Sequence, residues 1–370
     1  SFNPGYQFAF QQQMDNANTF TADNNMQILQ WSHSSGKRFA LKATASRMYV
    51  HLRADANGRG WRPATVNGEF DPNSIITAPV TYFNPDDTVV FVEAASGFYN
   101  NGGIATLWHD HLVEQYTSNV TGSLLSKNTF NRLFFGGEFK YQNLQWIDID
   151  KPWIGAPITL AGGQTTQSYR LGNYSDIWHV KPNQFSFFVS NKIKYKGLIA
   201  DVGLRYELWS LGKFVDDAVN NPKSPIRDEI RESYLKNTTN LFGRRYKMRL
   251  LPRVSASFPV RENQVLYFNY GHSTVMPHPS YIYAGLDPYY TDRSTLARLG
   301  NPDINPEVDI SYEIGLKTQI TNNDALNITT YLKDKYDFIT SASILVPDVT
   351  GRDVSRTVRI NSDYARMRGV

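Results

Sequence analysis

Between Val308 and Ile320 the residues of one parity are apolar. Val308, Ile310, Tyr312, Ile314, Leu316 and Ile320 fall on one side, and Asp309, Ser311, Glu313, Gly315, Lys317 and Gln319 on the other. A period of two is the mark of a β-strand with a single apolar face. Strands in soluble domains usually run about five or six residues, and this one runs about twice that. Two proline turns precede it, Asn301-Pro302 and Asn305-Pro306, each proline removing a backbone donor and fixing its own φ.

The pattern recurs as hairpins. Phe185, Phe187, Val189, Ile193 and Tyr195 alternate with Ser186, Ser190, Lys192 and Lys194; after Lys196-Gly197, Leu198, Ala200, Val202, Leu204, Tyr206 and Leu208 alternate with Asp201, Gly203, Arg205 and Glu207. A two-residue loop pairs Tyr195 with Leu198 and Val189 with Leu204, so that the apolar faces coincide and Lys192 lies opposite Asp201. Val254, Ala256, Phe258 and Val260 face Leu266, Phe268 and Tyr270 across a loop at 261–265. Ile320 pairs with Leu326, with Ile328 and Leu332 in phase, across a loop at 321–325. Further turns are expected at 34–37, after which Phe39, Leu41, Ala43 and Ala45 alternate, and at 126–129, after Val120, Gly122 and Leu124.

Between these tight turns lie long polar segments at 52–88, 142–183, 210–247 and 272–307. Soluble domains rarely hold several structureless loops of that length, whereas outer-membrane barrels alternate short periplasmic turns with long extracellular loops and cross about 25 Å of hydrocarbon with alternating strands. Composition agrees: charged residues are 19%, aromatic residues 14%, mean hydropathy is −0.43, and no stretch of about 18 apolar residues offers a transmembrane helix. The expectation is an all-β fold, a transmembrane antiparallel β-barrel wall with its apolar face toward lipid and Asp309, Glu313 and Lys317 toward the lumen. Alternation alone is equally compatible with a soluble secreted β-domain that binds glycans. Phe185, Tyr195, Tyr206 and Tyr270 at strand ends suit the aromatic girdles of a barrel.

Several sequence motifs resemble the TonB-dependent receptors of bacterial outer membranes. GNPDINPEVDISYEIGL (300–316) looks like that family's loop-to-strand signature, GLIADVGLRYELW (197–209) like its G-L-R-Y-D-x-W strand, LLPRVSASFPV (250–260) like its proline-arginine hairpin, and INSDYARMRGV (360–370) like a later strand. Ile304 stands where the family usually has Leu, and Glu207 where Asp is common. The resemblance is specific from Gln184 to Val370, general before that, and closest to the large receptors of Bacteroidetes-type bacteria, including the SusC group. It implies that residues 1–370 are part of a barrel domain, some 12 or 13 strands of about 22, with the plug and TonB box outside this chain. It also implies uptake of a nutrient ligand (glycan, peptide or metal chelate), energised by TonB-ExbB-ExbD through an N-terminal region, with a SusD-like surface lipoprotein as a further partner. The alternative within membranes is a receptor-like barrel recruited as a subunit of a larger complex. The motif residues Asn301, Pro302, Pro306, Glu307, Tyr312, Glu313 and Gly315 are then structural, setting the loop's re-entry into the wall.

Little else carries chemistry. A net charge of +4 with scattered Lys and Arg gives no footprint for nucleic acid, and the lack of cysteine excludes disulfides and thiolate sites. No nucleophile, phosphate-loop or cofactor motif occurs, so no enzyme is expected. His109 and His111 in LWHDHLVE share one face of a possible strand about 7 Å apart; lacking a third placed donor, they read as a polar lumen or loop face rather than a metal site. Asp86-Asp87 and Asp216-Asp217 read as solvated loop charges, and the glycines of FGGEF (135–139) as a strand irregularity. For ligand contact the candidates are loop aromatics, Trp153, Tyr169, Tyr174, Trp178, Tyr281, Tyr283, Tyr289 and Tyr290, which can stack on a ligand or pack loop against loop.

Overall fold

The computed structural model describes residues 18–56, 107–150, 158–159, 165–166, 174–288, 294, 296–347 and 352–370. Its strands are β1 (Asn18–Ser35), β2 (Phe39–Ala56), β3 (Leu107–Leu125), β4 (Asn131–Asp150), β5 (Ile158–Thr159), β6 (Thr165–Thr166), β7 (Tyr174–Val180), β8 (Asn183–Tyr195), β9 (Leu198–Ser210), β10 (Thr239–Leu241), β11 (Arg244–Arg261), β12 (Gln264–Val275), β13 (Arg298–Leu299), β14 (Glu307–Gln319), β15 (Ala325–Pro347) and β16 (Asp353–Gly369). Among the described residues three helices interrupt them: α1 (Lys213–Asn220), α2 (Asp228–Asn237) and α3 (Pro279–Tyr283).

One sheet of 14 strands contains all but the β5–β6 ribbon. Three of its members, β7, β10 and β13, are short; the other eleven form an antiparallel wall in chain order, from β1 to β16. Among the described residues β1 and β16 do not pair, so the wall is open, as part of a barrel would be. The tight turns, at residues 36–38, 126–130, 196–197, 262–263 and 320–324, all lie at one end, and α1, α2 and α3, from the long connections before β11 and β14, lie at the other.

The apolar band faces outward. On β8 and β9 Phe187 is 56% exposed and Val202 52%, with Val189 and Leu204 beside them, while the neighbouring Ser186 and Glu207 point inward and are buried. Lys192 pairs with Asp201 and Val189 with Leu204, as the alternation demands. Lys196 (φ 46°) and Gly197 (φ 87°) both occupy the left-handed region, the geometry whose twist suits a two-residue hairpin. Lysine there carries the strain that Asn-Gly would avoid.

Other expectations needed adjusting by a residue or two. The 261–265 loop closes to Glu262-Asn263, because a bulge at Val260 lets Arg261 pair with Gln264; Phe258, rather than Val260, lies opposite Leu266, and the apolar faces still coincide. Leu326 lies opposite Thr318 rather than Ile320, which falls in the turn and hydrogen-bonds to Asp324, although Leu316 and Ile328 keep the expected parity. FGGEF is no irregularity: β4 runs through it without a register shift. Each of its glycines sits directly opposite an aromatic ring, Gly136 against Phe188 and Gly137 against Phe187. A Cβ on Gly136 would lie 2.6 Å from the Phe188 ring. Tyr267 covers Gly315 in the same way, so the small residue marks where a ring lies flat on the wall.

Two compensating bulges modify the last hairpin. Asp337 is extra on β15, with φ 55°, and the step from Phe338 to Ile339 skips Ser362 on β16. The overall register is restored, yet each strand reverses its inside and outside beyond the bulge. Lys333 and Lys335 below it reach the inward carboxylates Asp309 and Glu307. Above it Ile344 and Val346 point inward while Leu345 is exposed.

The wall makes a measurable distinction between its faces. Leu204→Arg, near the middle of the outward band, should destabilise the full-length protein by about 2–4 kcal/mol in phospholipid vesicles. Asp201→Asn, opposite Lys192 on the inward face, should cost less than about 1 kcal/mol. Urea titrations of refolding will separate the two.

Candidate functional site

At the end carrying the long connections the apolar face turns inward and builds a core. Leu144 on β4, Trp178 and Val180 on β7, Trp209 on β9 and Val346 on β15 meet Val215 and Val219 of α1, Tyr234 of α2, and Ile282 and Tyr283 of α3. The segment 210–247 is therefore largely folded. Its second helix opens on Asp228 and Glu229 and ends with Lys236, charges that complement the helix dipole. Arg231 ties α2 to α1 by donating to the carbonyls of Val219 and Asn221, which the end of α1 would otherwise leave unpaired. Asp216 is not a solvated loop charge: it lies buried on α1 and accepts from the Tyr234 hydroxyl at 3.1 Å. Asp86 and Asp87 lie outside the described residues.

The inner face of β3, β4 and β7 adjoins this core and carries an aromatic and imidazole ladder. His111 stacks on Trp146 at 3.7 Å, Trp146 on Trp178 at 5.8 Å, and Trp178 tilts against Tyr283 at 5.4 Å. His278 meets the edge of Trp146. The β3–β4 register places His109 opposite Asp148 and His111 opposite Trp146. Both rings address one carboxylate oxygen: His109 Nδ1 contacts Asp148 Oδ1, and His111 Nε2 lies 2.6 Å from it. Trp146 Nε1 donates to the other oxygen at 2.9 Å. Burial acts to raise the Asp148 carboxyl, but the hydrogen bonds from the two histidines outweigh it and hold the group at about 2. Asp176 lies across from Asp148 in the β4–β7 register and takes a 2.6 Å bond from Arg298. Its near-complete burial pushes that carboxyl up to about 6 in spite of the arginine.

The sequence motif 300–307 forms a second polar cluster beside the core. Lys247, buried on β11, donates to the carbonyls of Asp303 and Ile304 at 2.7 and 3.2 Å and to Asn305 Oδ1 at 3.1 Å. Asn301 is buried and bonds to the carbonyl of Arg359, Arg249 reaches the Pro306 carbonyl, and Glu307 accepts from Lys335. Pro302 is buried with them. Tyr312 sits on the outward face paired with Tyr270, and Glu313 accepts from Asn269 on the inward face.

The aromatic candidates divide. Trp178 and Tyr283 are 3% and 2% exposed and use their ring faces to pack connections against the wall. Tyr174 and Tyr281 are half-buried, the latter with Arg359 over its ring. Trp153, Tyr169, Tyr289 and Tyr290 lie outside the described residues. Asp148, Asp176 and Arg298 were not singled out from sequence. For Asp148 a signal existed, since the alternation of QWIDID and the 126–130 turn bring it opposite His109.

The family model described as TonB dependent receptor-like, beta-barrel matches residues 1–370. No curated protein matches the chain. Among solved structures it resembles the hemophore receptor HasR of Serratia marcescens, described in complex with its hemophore HasA and heme (TM-score 0.56, 13% identity, 95% of this chain and 46% of that one). It also resembles the outer-membrane transporter YddB of Escherichia coli (0.53, 12%, 94% and 38%). The ferric enterobactin receptor PfeA of Pseudomonas aeruginosa is similar too (0.52, 14%, 94% and 40%). The chain spans less than half the length of each, and at these identities the likeness is one of fold.

Lys247 gives the motif cluster a pH signature. Burial pulls its amine down to about 8 from 10.5, against the raising influence of Asp303. The folded state therefore binds fewer protons than the unfolded one between those values. Its stabilising share is complete above 10.5 and is lost as pH falls through 8. Lys247→Met strands three oxygen acceptors and should cost about 1–3 kcal/mol at neutral pH. Wild type should gain up to about 3 kcal/mol over that variant between pH 8 and 10.5, measured by denaturant titration of the two proteins in parallel.

Proposed function

Since the chain belongs to the TonB-dependent receptor-like β-barrel family and lies in the bacterial outer membrane, we propose that it forms part of the wall of an active-transport receptor that takes up a nutrient ligand. The observation that carries the reading is the inversion of the apolar face: outward along the band that meets lipid, inward at the mouth, where long connections fold onto the wall. A soluble secreted domain would have no use for the outward band. The ligand is captured at the mouth, by Tyr174 and Tyr281 and by Trp153, Tyr169, Tyr289 and Tyr290 of the remaining connections. Transport then follows rearrangement of a plug, energised by TonB-ExbB-ExbD through an N-terminal region. A glycan, a peptide or a metal chelate fits a mouth lined by rings and polar groups, and a SusD-like lipoprotein would cover it from outside. Asn301, Pro302, Pro306 and Glu307 hold the connection before β14 in place for that capture; Tyr312, Glu313 and Gly315 shape the strand that follows.

Growth tests separate transport from a purely architectural role in a larger complex. On media limiting in single glycans, peptides or ferric chelates, deletion of the gene and deletion of TonB should abolish growth on the same nutrient. Growth of both mutants like wild type on every nutrient would overturn the transport reading.

A further inference from the structure

We propose that His109, His111 and Asp148 bind a divalent transition-metal ion such as zinc or copper(II) on the inner wall of the mouth. The site uses this chain's residues alone and stands whether or not the protein transports anything. The three donor atoms lie within 4.8 Å of one another. A tetrahedral ion with bonds of about 2.0–2.2 Å spaces its donors by about 3.3 Å; both imidazole nitrogens lie closer than that to Asp148 Oδ1, so the rings rotate away from the carboxylate to admit the ion between them. The residues stand on adjacent, paired strands, where position is held more tightly than on loops.

The surroundings favour a metal over a simple ion pair. Both imidazoles converge on the same carboxylate oxygen, while Trp146 Nε1 occupies the other. The same indole stacks on His111 and fixes its ring. One residue thus orients two of the three donors, the service that outer-shell partners give to metal ligands. Asp176, opposite Asp148, has Oδ1 buried without a hydrogen-bond partner, while its Oδ2 meets Arg298. Two carboxylates, Asp148 and Asp176, face each other across the β4–β7 register with one guanidinium, Arg298, bonded to Asp176, a favourable setting for a divalent cation. Two nitrogens and one oxygen, with neither cysteine nor methionine, select zinc, copper(II) or nickel rather than copper(I). Three protein ligands leave a fourth position for water or a further donor.

The test uses the full-length protein in detergent, stripped with EDTA and free of any histidine tag. Titration with Cu²⁺ should give one tight site, quench tryptophan fluorescence through Trp146, and show EPR coupling to two nitrogens. Zn²⁺ should compete for it. Loss of an outer-shell partner alone costs metal sites about 10–100-fold, so His109→Asn and Asp148→Asn should each weaken binding at least about 100-fold. His33→Asn, near the opposite end, should leave it unchanged. Less than half an equivalent bound, absence of nitrogen coupling, or equal affinity in the His109 and Asp148 variants would overturn the proposal. If neither variant assembles, the wild-type nitrogen coupling decides.

Discussion

Hydrocarbon offers no partner to a backbone N–H or C=O, so a strand that crosses it must find its partners in neighbouring strands. Much of this chain follows from that constraint. Strands long enough to cross are set side by side in chain order, and tight turns close one end because antiparallel neighbours need no more. The side chains are then free to be read by the two surroundings, apolar outward and polar inward. Several glycines enter where a ring from the next strand covers them, as Tyr267 covers Gly315.

At the mouth the solvent outside is water, and ordinary soluble-protein physics returns. Trp178, Trp209 and Val346 turn inward, and short helices from the connections supply the other side of a core. Polar groups caught there find specific partners: Lys247 the carbonyls of 303 and 304, Asp176 the guanidinium of Arg298, Asp148 two imidazoles and an indole. A rigid rim of this kind can hold residues toward a ligand without making the connections themselves part of the membrane wall.

Local pattern revealed the hairpins, because alternation on both strands allows one parity only; Lys192 opposite Asp201 follows from it. It left loop lengths open, five residues expected at 261–265 where two are found, since a bulge such as that at Val260 preserves parity across the hairpin. The helices of 210–247 were missed, although DEIRESYLKN has an acidic start and a basic end, because polar composition made the segment look structureless. Contacts such as Arg298 to Asp176, 122 positions apart, have no local signature at all. The mouth is assembled from such contacts, so its aromatic residues could be named from sequence while their burial could not.

The paired bulges at Asp337 and Ser362 act on the pattern of inside and outside as a half-wave plate acts on light: they reverse its phase and leave the direction of travel unchanged. The Asp337 backbone is pinned by Asn361 and its side chain by Arg249, so the reversal is locked at one height. One uninterrupted hairpin can therefore be written in two dialects, one for lipid and one for water, each open to change without rewriting the other.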